Sequence, residues 1–293
     1  MLKPLQEFRT NGPLTTEQYT QLDTAVKTTL RQNLVARRIV PVTGPFGFGK
    51  EAISYMRMKD VSPAQLTYAW KVDASQDIVN FKVETLPIPV IQKSFRINNR
   101  MLEASRTQGT PLDVNTAQSA AYQVALQEDK FIFYGNSADG KKTDIDGLYS
   151  GAGLDYSTVS DWSLPENISK SVIGAMGKLL MENIAPPYNL VLNPAQYVQA
   201  INLMPNNNAN NYLSWISDAI KGQILVSPGI EEGSALMLAA GSRGFFDVAV
   251  GIDVNLQTEI LGLDYGHDLF GVIFQTLVPR IIYPEALCKL SSI

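Results

Sequence analysis

Cysteine and histidine are almost missing from this chain: 293 residues contain one of each, Cys288 and His267. A lone cysteine closes no intrachain disulfide, and one cysteine with one histidine assembles no zinc cluster of the His and Cys type. Cys288, in the apolar run Ala286-Leu287-Cys288, reads as a buried thiol acting as a small hydrophobe. His267, between Gly266 and Asp268, reads as a loop or strand-edge residue. Long apolar runs are missing too, none approaching the roughly 18 residues of a membrane-spanning helix. The stretch Met1 to Glu7 lacks an apolar segment followed by a small-residue cleavage site, so a cytoplasmic location is expected. Neither sign of charge dominates: 24 basic and 28 acidic residues leave a net charge of −4. The first 38 residues are mildly basic, with six cations (Lys3, Arg9, Lys27, Arg31, Arg37, Arg38) against Glu7, Glu17 and Asp23. That is too little to package a genome by charge.

Hydrophobic residues are plentiful at 45%, enough to build the core of one large domain or two ordinary ones. Thr15 and Gln18 have capping-box spacing, and Tyr19, Leu22, Val26, Leu30 and Leu34 recur as one helix face does, so residues 15–38 are expected to be an amphipathic helix. Ile39-Val40-Pro41-Val42 reads as extended chain closed by a Gly44-Pro45 turn. Asp77 to Phe81 and Val90 to Ile97 alternate like strands and suggest a long two-stranded excursion, which an isolated ribbon can sustain only by lying on a neighbouring subunit. Asn115 can cap a second long helix ending at Gly135, whose alanines (Ala117, Ala120, Ala121, Ala125) imply close packing on a sheet. A helix from about Ile168 to Met181, a strand Leu190–Leu192, a helix opened by Pro194, and strands near Ile224, Met237, Val248 and Phe274 follow in irregular order. Irregular mixing points to an α+β arrangement over a doubly wound parallel sheet.

Several motifs invite a catalytic reading and fail on their chemistry. Gly44 to Lys50 has phosphate-loop spacing, but Glu51 stands where a magnesium-binding hydroxyl is needed, and its carboxylate would repel phosphate. A turn between strand and excursion is the better reading. Asp144-Ile145-Asp146-Gly147 lacks the closing glutamate of a calcium loop. No Gly-x-Ser-x-Gly elbow occurs, and a serine triad would depend on His267 alone. Neither a catalytic residue, a metal site nor a cofactor is expected. The polar run Pro205 to Asn211 is an exposed loop, and in a ring-forming subunit its Asn206, Asn207, Asn208, Asn210 and Asn211 could line a pore.

The order of these pieces resembles the encapsulins over nearly the whole chain. The residues that carry the likeness include Leu14-Thr15, Leu34, Arg37, Gly44-Pro45-Phe46-Gly47, Leu86-Pro87, Phe95, Glu128-Asp129 and Gly135. Further on they include Gly147-Leu148, Pro187 to Asn193, Pro228-Gly229-Ile230, Gly251-Ile252-Asp253 and Pro284 to Leu287. The resemblance implies a fold like the Hong Kong 97-type phage major capsid protein, with an icosahedral shell as its assembled form. Its parts would be a peripheral domain of residues 1–45, 81–147 and 255–293, an extended arm of 46–80 and an axial domain of 148–254. The N-terminal helix would be the inner helix of encapsulins, against an ordinary phage capsid protein.

The resemblance also implies partners: further copies of the same chain, and a cargo enzyme, ferritin-like or peroxidase, captured by a short C-terminal targeting peptide. The expected groove residues are Leu30, Leu34, Arg37, Arg38 and Ile39, apolar pockets beside arginines that meet the peptide's polar groups or terminal carboxylate. Two rivals remain open at this point: a viral or proviral capsid subunit that encloses DNA, and a nucleotide-dependent enzyme built on the loop at Gly44.

Overall fold

The computed structural model describes residues 14–57, 82–108, 114–136, 145–157, 161–202, 211–241, 244–260 and 268–293. Three sheets organise them. In the first, strand β1 (Val42–Thr43) runs parallel to β9 (Phe246–Ile260), β9 pairs antiparallel with β10 (Leu269–Ile281), and β10 pairs antiparallel with β4 (Val90–Ile97). In the second, β5 (Leu154–Tyr156), β11 (Leu287–Ser291), β8 (Ser234–Ala239), β6 (Tyr188–Leu192) and β7 (Ile224–Val226) lie side by side in that order. The third is a two-stranded ribbon of β2 (Ala52–Arg57) and β3 (Lys82–Pro87).

Seven α-helices lie among the described residues. Helix α1 (Thr16–Asn33) starts at a capping box: Thr15 Oγ1 accepts the amide of Gln18 at 3.3 Å, and Gln18 Oε1 accepts that of Thr15 at 3.2 Å. Leu22, Val26 and Leu30 then bury one face on α4 (Asn115–Tyr134), the long helix. Ala117, Ala120, Ala121 and Ala125 bring α4 close to β4 and β10, as its alanine content suggested. One-turn helix α2 (Ala36–Ile39) follows α1, and α3 (Asn99–Gln108) follows β4. Helices α5 (Pro165–Met181), α6 (Pro194–Ala200) and α7 (Tyr212–Ile220) belong with the five-stranded sheet, whose central strands β6 and β8 are buried along their whole length.

Several expectations change. The continuous helix over 15–38 breaks after Asn33, for a reason set out below. Asn115 is the first residue of α4, and Val114, which precedes it as the cap, has no side-chain oxygen to accept the helix's free amides. Val90–Ile97 belongs to no excursion: its buried Ile91, Phe95 and Ile97 seat it on the four-stranded sheet beside β10. The ribbon is made instead by β2 and β3, so it reaches past residue 80, and residues 58–81 lie outside the described residues. Strand pairing also crosses the expected segment boundaries. All of β9 from Phe246 joins the four-stranded sheet, while the last strand, β11, pairs with β8 and β5 in the other. Cys288 is fully buried there, and burial pushes its thiol up to about 12. His267, Asp144 and Asn206, Asn207, Asn208 and Asn210 fall outside the described residues. Asn211 caps α7, its Oδ1 accepting the amide of Ser214 at 2.8 Å. Among the described residues no helix is long and apolar enough to cross a membrane.

The loop at Gly44 is consumed by the sheet. The amides of Phe46 and Gly47 donate to the carbonyls of Val250 (3.0 Å) and Gly251 (2.8 Å), extending β1 along β9, so they are not turned inward to cradle a phosphate. Lys50 Nζ lies over the Phe46 ring at 5.1 Å. Gly44 has φ +127°, and a Cβ there would sit 2.3 Å from the Val250 carbonyl oxygen. Gly44→Ala is therefore expected to cost about 1–3 kcal/mol through backbone strain and displacement of β1 from β9. Denaturant unfolding of the purified protein checks this, and stability equal to that of the parent would refute the tight approach.

Candidate functional site

The break between α1 and α2 borders a concave feature. After Asn33 the chain turns extended at Leu34 (φ −72°, ψ 114°), and α2 begins two residues later. Its first amides find a partner on another helix: the Asp129 carboxylate, buried on α4, accepts from Val35 N at 3.2 Å and Ala36 N at 3.1 Å. A carboxylate at a helix N-terminus satisfies amides that have no partner within the helix and matches the dipole's positive end. Asp129 also accepts the Ser227 hydroxyl at 3.1 Å, tying the same point to the residue after β7. Desolvation pushes the Asp129 carboxyl above its ordinary value, while the two amides and the Ser227 hydroxyl pull it back.

The adjoining residue, Glu128, is completely buried and meets Arg37 from α2. Arg37 Nε donates to Glu128 Oε1, Nη1 donates to Asp253 Oδ1 of β9 at 2.8 Å, and Nη2 donates to Gln275 Oε1 of β10 at 3.2 Å. Gln275 Nε2 completes the ring by donating to Glu128 Oε2 at 2.6 Å. One guanidinium thus joins α2, α4, β9 and β10. Burial alone would lower the Arg37 pKa, but the charges and hydrogen bonds of Glu128 and Asp253 raise it above its ordinary value. Desolvation drives Glu128 upward against Arg37 and Gln275. At Asp253, desolvation also pushes upward, but the Arg37 hydrogen bond and charge outweigh it and hold the carboxyl low.

Around this hub lies a cavity of about 270 Å³ lined by Lys27, Leu30, Arg31, Leu34, Arg37, Arg38, Asp253 and Val254. Leu30, Leu34 and Val254 are its apolar members, and four cations surround them. Their electrostatic states differ. Arg37 is neutralised by Glu128 and Asp253, and Lys27 pairs with Asp23 at 2.7 Å. Among the described residues Arg31 and Arg38 make no direct ion pair; the charge of Arg31 acts on Asp253 and that of Arg38 on Asp129 from further away, and Arg38 Nη2 donates to the Gln32 carbonyl at 3.1 Å. The cavity therefore offers aliphatic carbon next to two arginines that make no direct ion pair, a surface suited to an extended peptide with a carboxylate or carbonyls near an apolar side chain.

Of the five residues expected in a groove, Leu30, Leu34, Arg37 and Arg38 come together at this cavity. Ile39 does not line it; it is buried in the hydrophobic core. Lys27 and Arg31 were missed although they lie on the same helix one turn before Leu30 and Leu34, a spacing that would have found them. Asp253 and Val254 come from a strand more than 200 residues away, which no local pattern reveals. Among the described residues no group of three His, Cys, Asp or Glu side chains could hold a metal ion.

Comparison with known proteins gives consistent relatives. The family model described as encapsulating protein for peroxidase matches residues 7–258. A type 1 encapsulin shell protein of Myxococcus xanthus is 30% identical over 284 residues, which cover 96% of this chain and 94% of that protein. A diheme-cytochrome-encapsulin shell fusion protein of Kuenenia stuttgartiensis is 28% identical, over 94% of this chain and 72% of that protein. Among solved structures, the virus-like particle from Pyrococcus furiosus superposes with a TM-score of 0.71 at 20% identity, over 94% of this chain and all of that one. The capsid of Myoviridae phage XM1 superposes at 0.65 with 10% identity, over 86% and 90%. The α+β architecture is thus the Hong Kong 97-type capsid fold.

Arg37→Ala is expected to destabilise the subunit by about 3–5 kcal/mol, because Glu128 would stay buried without its countercharge. The loss should depend on pH. A carboxyl whose folded pKa lies above its ordinary value of 4.5 binds its proton more readily when folded, so its stabilisation falls as pH rises through that window. Removing Arg37 deletes the main restraint on that rise, so the deficit should be smaller at about pH 5 than at about pH 8. Thermal unfolding at both values checks this, and Glu128→Gln added to Arg37→Ala should recover part of the loss.

Proposed function

The chain belongs to the encapsulin shell-protein family, and from that premise we propose that it encloses a cargo enzyme by capturing a short peptide from the cargo's C-terminus in the cavity beside α1 and α2. The observation that carries this reading is the cavity itself: Leu30, Leu34 and Val254 flanked by Arg31 and Arg38, two cations that make no direct ion pair among the described residues. An extended peptide sets an apolar side chain on the aliphatic residues, and its polar groups or terminal carboxylate meet the arginines. Arg37 acts differently. Its guanidinium is engaged with Glu128, Asp253 and Gln275, so it holds the cavity's shape.

The relatives' names support a redox cargo: the family description speaks of peroxidase, and the Kuenenia protein is a fusion with a diheme cytochrome. A peroxidase or a ferritin-like iron oxidase is the cargo proposed here, and any iron storage would reside in that cargo. The shell subunit itself acts by shape and packing and carries no chemistry of its own. The asparagines of residues 206–211 are proposed to border a pore in the assembled shell, with Asn211 contributing its helix cap instead of a free amide.

A phage-type capsid enclosing DNA is the second reading, because phage capsids share the fold. Light scattering and negative-stain microscopy of the purified protein should show hollow particles of megadalton mass without the ultraviolet absorbance of nucleic acid. Particles filled with DNA would favour the phage reading, and a stable monomer would defeat both. Arg31→Glu combined with Arg38→Glu should leave particles intact and lower the cargo that co-purifies from source cells by about tenfold or more, a loss of about 1.4 kcal/mol. Unchanged cargo content in those particles would remove the cavity from cargo capture.

A further inference from the structure

Helix α5 buries Ile168, Val172, Ala175 and Leu179 toward the five-stranded sheet, where it packs on β5 and β11. An amphipathic helix of this kind normally shows charged residues on its other side. The last turns of α5 do not. Ile173 is 58% exposed, Leu180 52% and Met181 82%, and Gly177, at the i+4 position from Ile173, has nothing within 4 Å of where a Cβ would stand. Spacings of four and three residues place Ile173, Gly177 and Leu180 on one outward stripe, with Met181 beside it.

The one charge in this stretch, Lys178, is turned away. Its ammonium donates to the Asp155 carbonyl and lies over the Tyr156 ring at 5.7 Å, so it covers β5 and leaves the outward stripe uncharged. Charge borders it at both ends: Glu182 follows Met181 as the C-cap of α5, and Glu166 and Lys170, paired with each other at 3.8 Å, lie a turn or more toward the N-terminus. The stripe is thus apolar, open at a glycine and bounded by charge, the pattern of an interface core with a polar rim.

A chain that builds a shell presents its flanks to further copies, and an apolar stripe left toward water on a finished particle would remain a site of further association. We propose that Ile173, Gly177, Leu180 and Met181 of α5 form a contact with a neighbouring copy of this chain in the assembled shell. The second copy is the occupant, since the relatives that share this chain's length are shell subunits and an uncharged stripe offers no purchase to the polar groups of a peptide. The inference rests on the shell reading and is independent of the cargo cavity.

Cysteine labelling tests it, because the single native thiol, Cys288, is buried. Met181→Cys and Ile173→Cys are compared with Thr28→Cys, an exposed position of α1, using iodoacetamide on particles made from this chain alone and on subunits dissociated in mild denaturant. The rate at Cys introduced for Met181 or Ile173, divided by the rate at that for Thr28, should fall about tenfold or more on assembly. An unchanged ratio overturns the contact. Light scattering precedes the labelling: absence of particles would remove the shell reading itself, whereas intact particles with a reactive thiol remove only this interface. Protection that appears solely in cargo-loaded particles would assign the stripe to cargo and also overturn the proposal.

Discussion

Glu128 has no exposure to water, and the structure around the cavity follows from the need to answer its charge. An isolated buried carboxylate is costly, so Arg37 must reach it, and α2 must stand where its side chain can do so. Asp129, next in the chain, holds α2 in that place by accepting its first two amides. Adjacent residues of one helix therefore perform complementary tasks, one fixing the backbone of α2 and the other fixing its arginine. Gln275 and Asp253 complete the arrangement from β10 and β9. The cavity is what remains beside α1 once these bonds are made.

The same constraint divides the cations by role. A guanidinium that satisfies two carboxylates and an amide has spent most of its hydrogen-bonding capacity within its own subunit. Arg31 and Arg38 line the same space without a direct ion pair, which is why peptide recognition is proposed for them. Ser227 carries the network further: its hydroxyl reaches Asp129 while it accepts the Gly229 amide at 3.1 Å, so the residue following β7 touches the buried polar centre. Helices α2 and α4 are thereby joined to the end of β7 through one carboxylate.

Much of the fold was legible because local rules decide it. The face of α1 could be read from Leu22, Val26 and Leu30, its start from Thr15 and Gln18, and the packing of α4 from its alanines. Strand β4 was recognised as a strand and given the wrong neighbour, because alternation at Ile91, Phe95 and Ile97 states that one face is buried without naming what buries it. The break at Leu34 was illegible, since the acceptor for Val35 and Ala36 lies 93 or more residues away in sequence. Of the cavity, the α1 and α2 side was accessible to sequence reasoning, and the β9 side was not.

By itself, the sequence determined that no intrachain disulfide can close, where most helices and strands lie, which of their faces are apolar, and the family likeness that runs along the chain. Those properties depend on residue type and on spacings of two to four positions, so they are written locally. Tertiary structure decided which arginine is ion-paired within the subunit, that Ile39 belongs to the core, that β11 joins the sheet of β8, and that Lys178 folds back from the apolar stripe on α5. Each depends on a partner brought from a distant part of the chain. Whether a charge is compensated, or an apolar side chain covered, is a property of those partners and not of the residue that carries it.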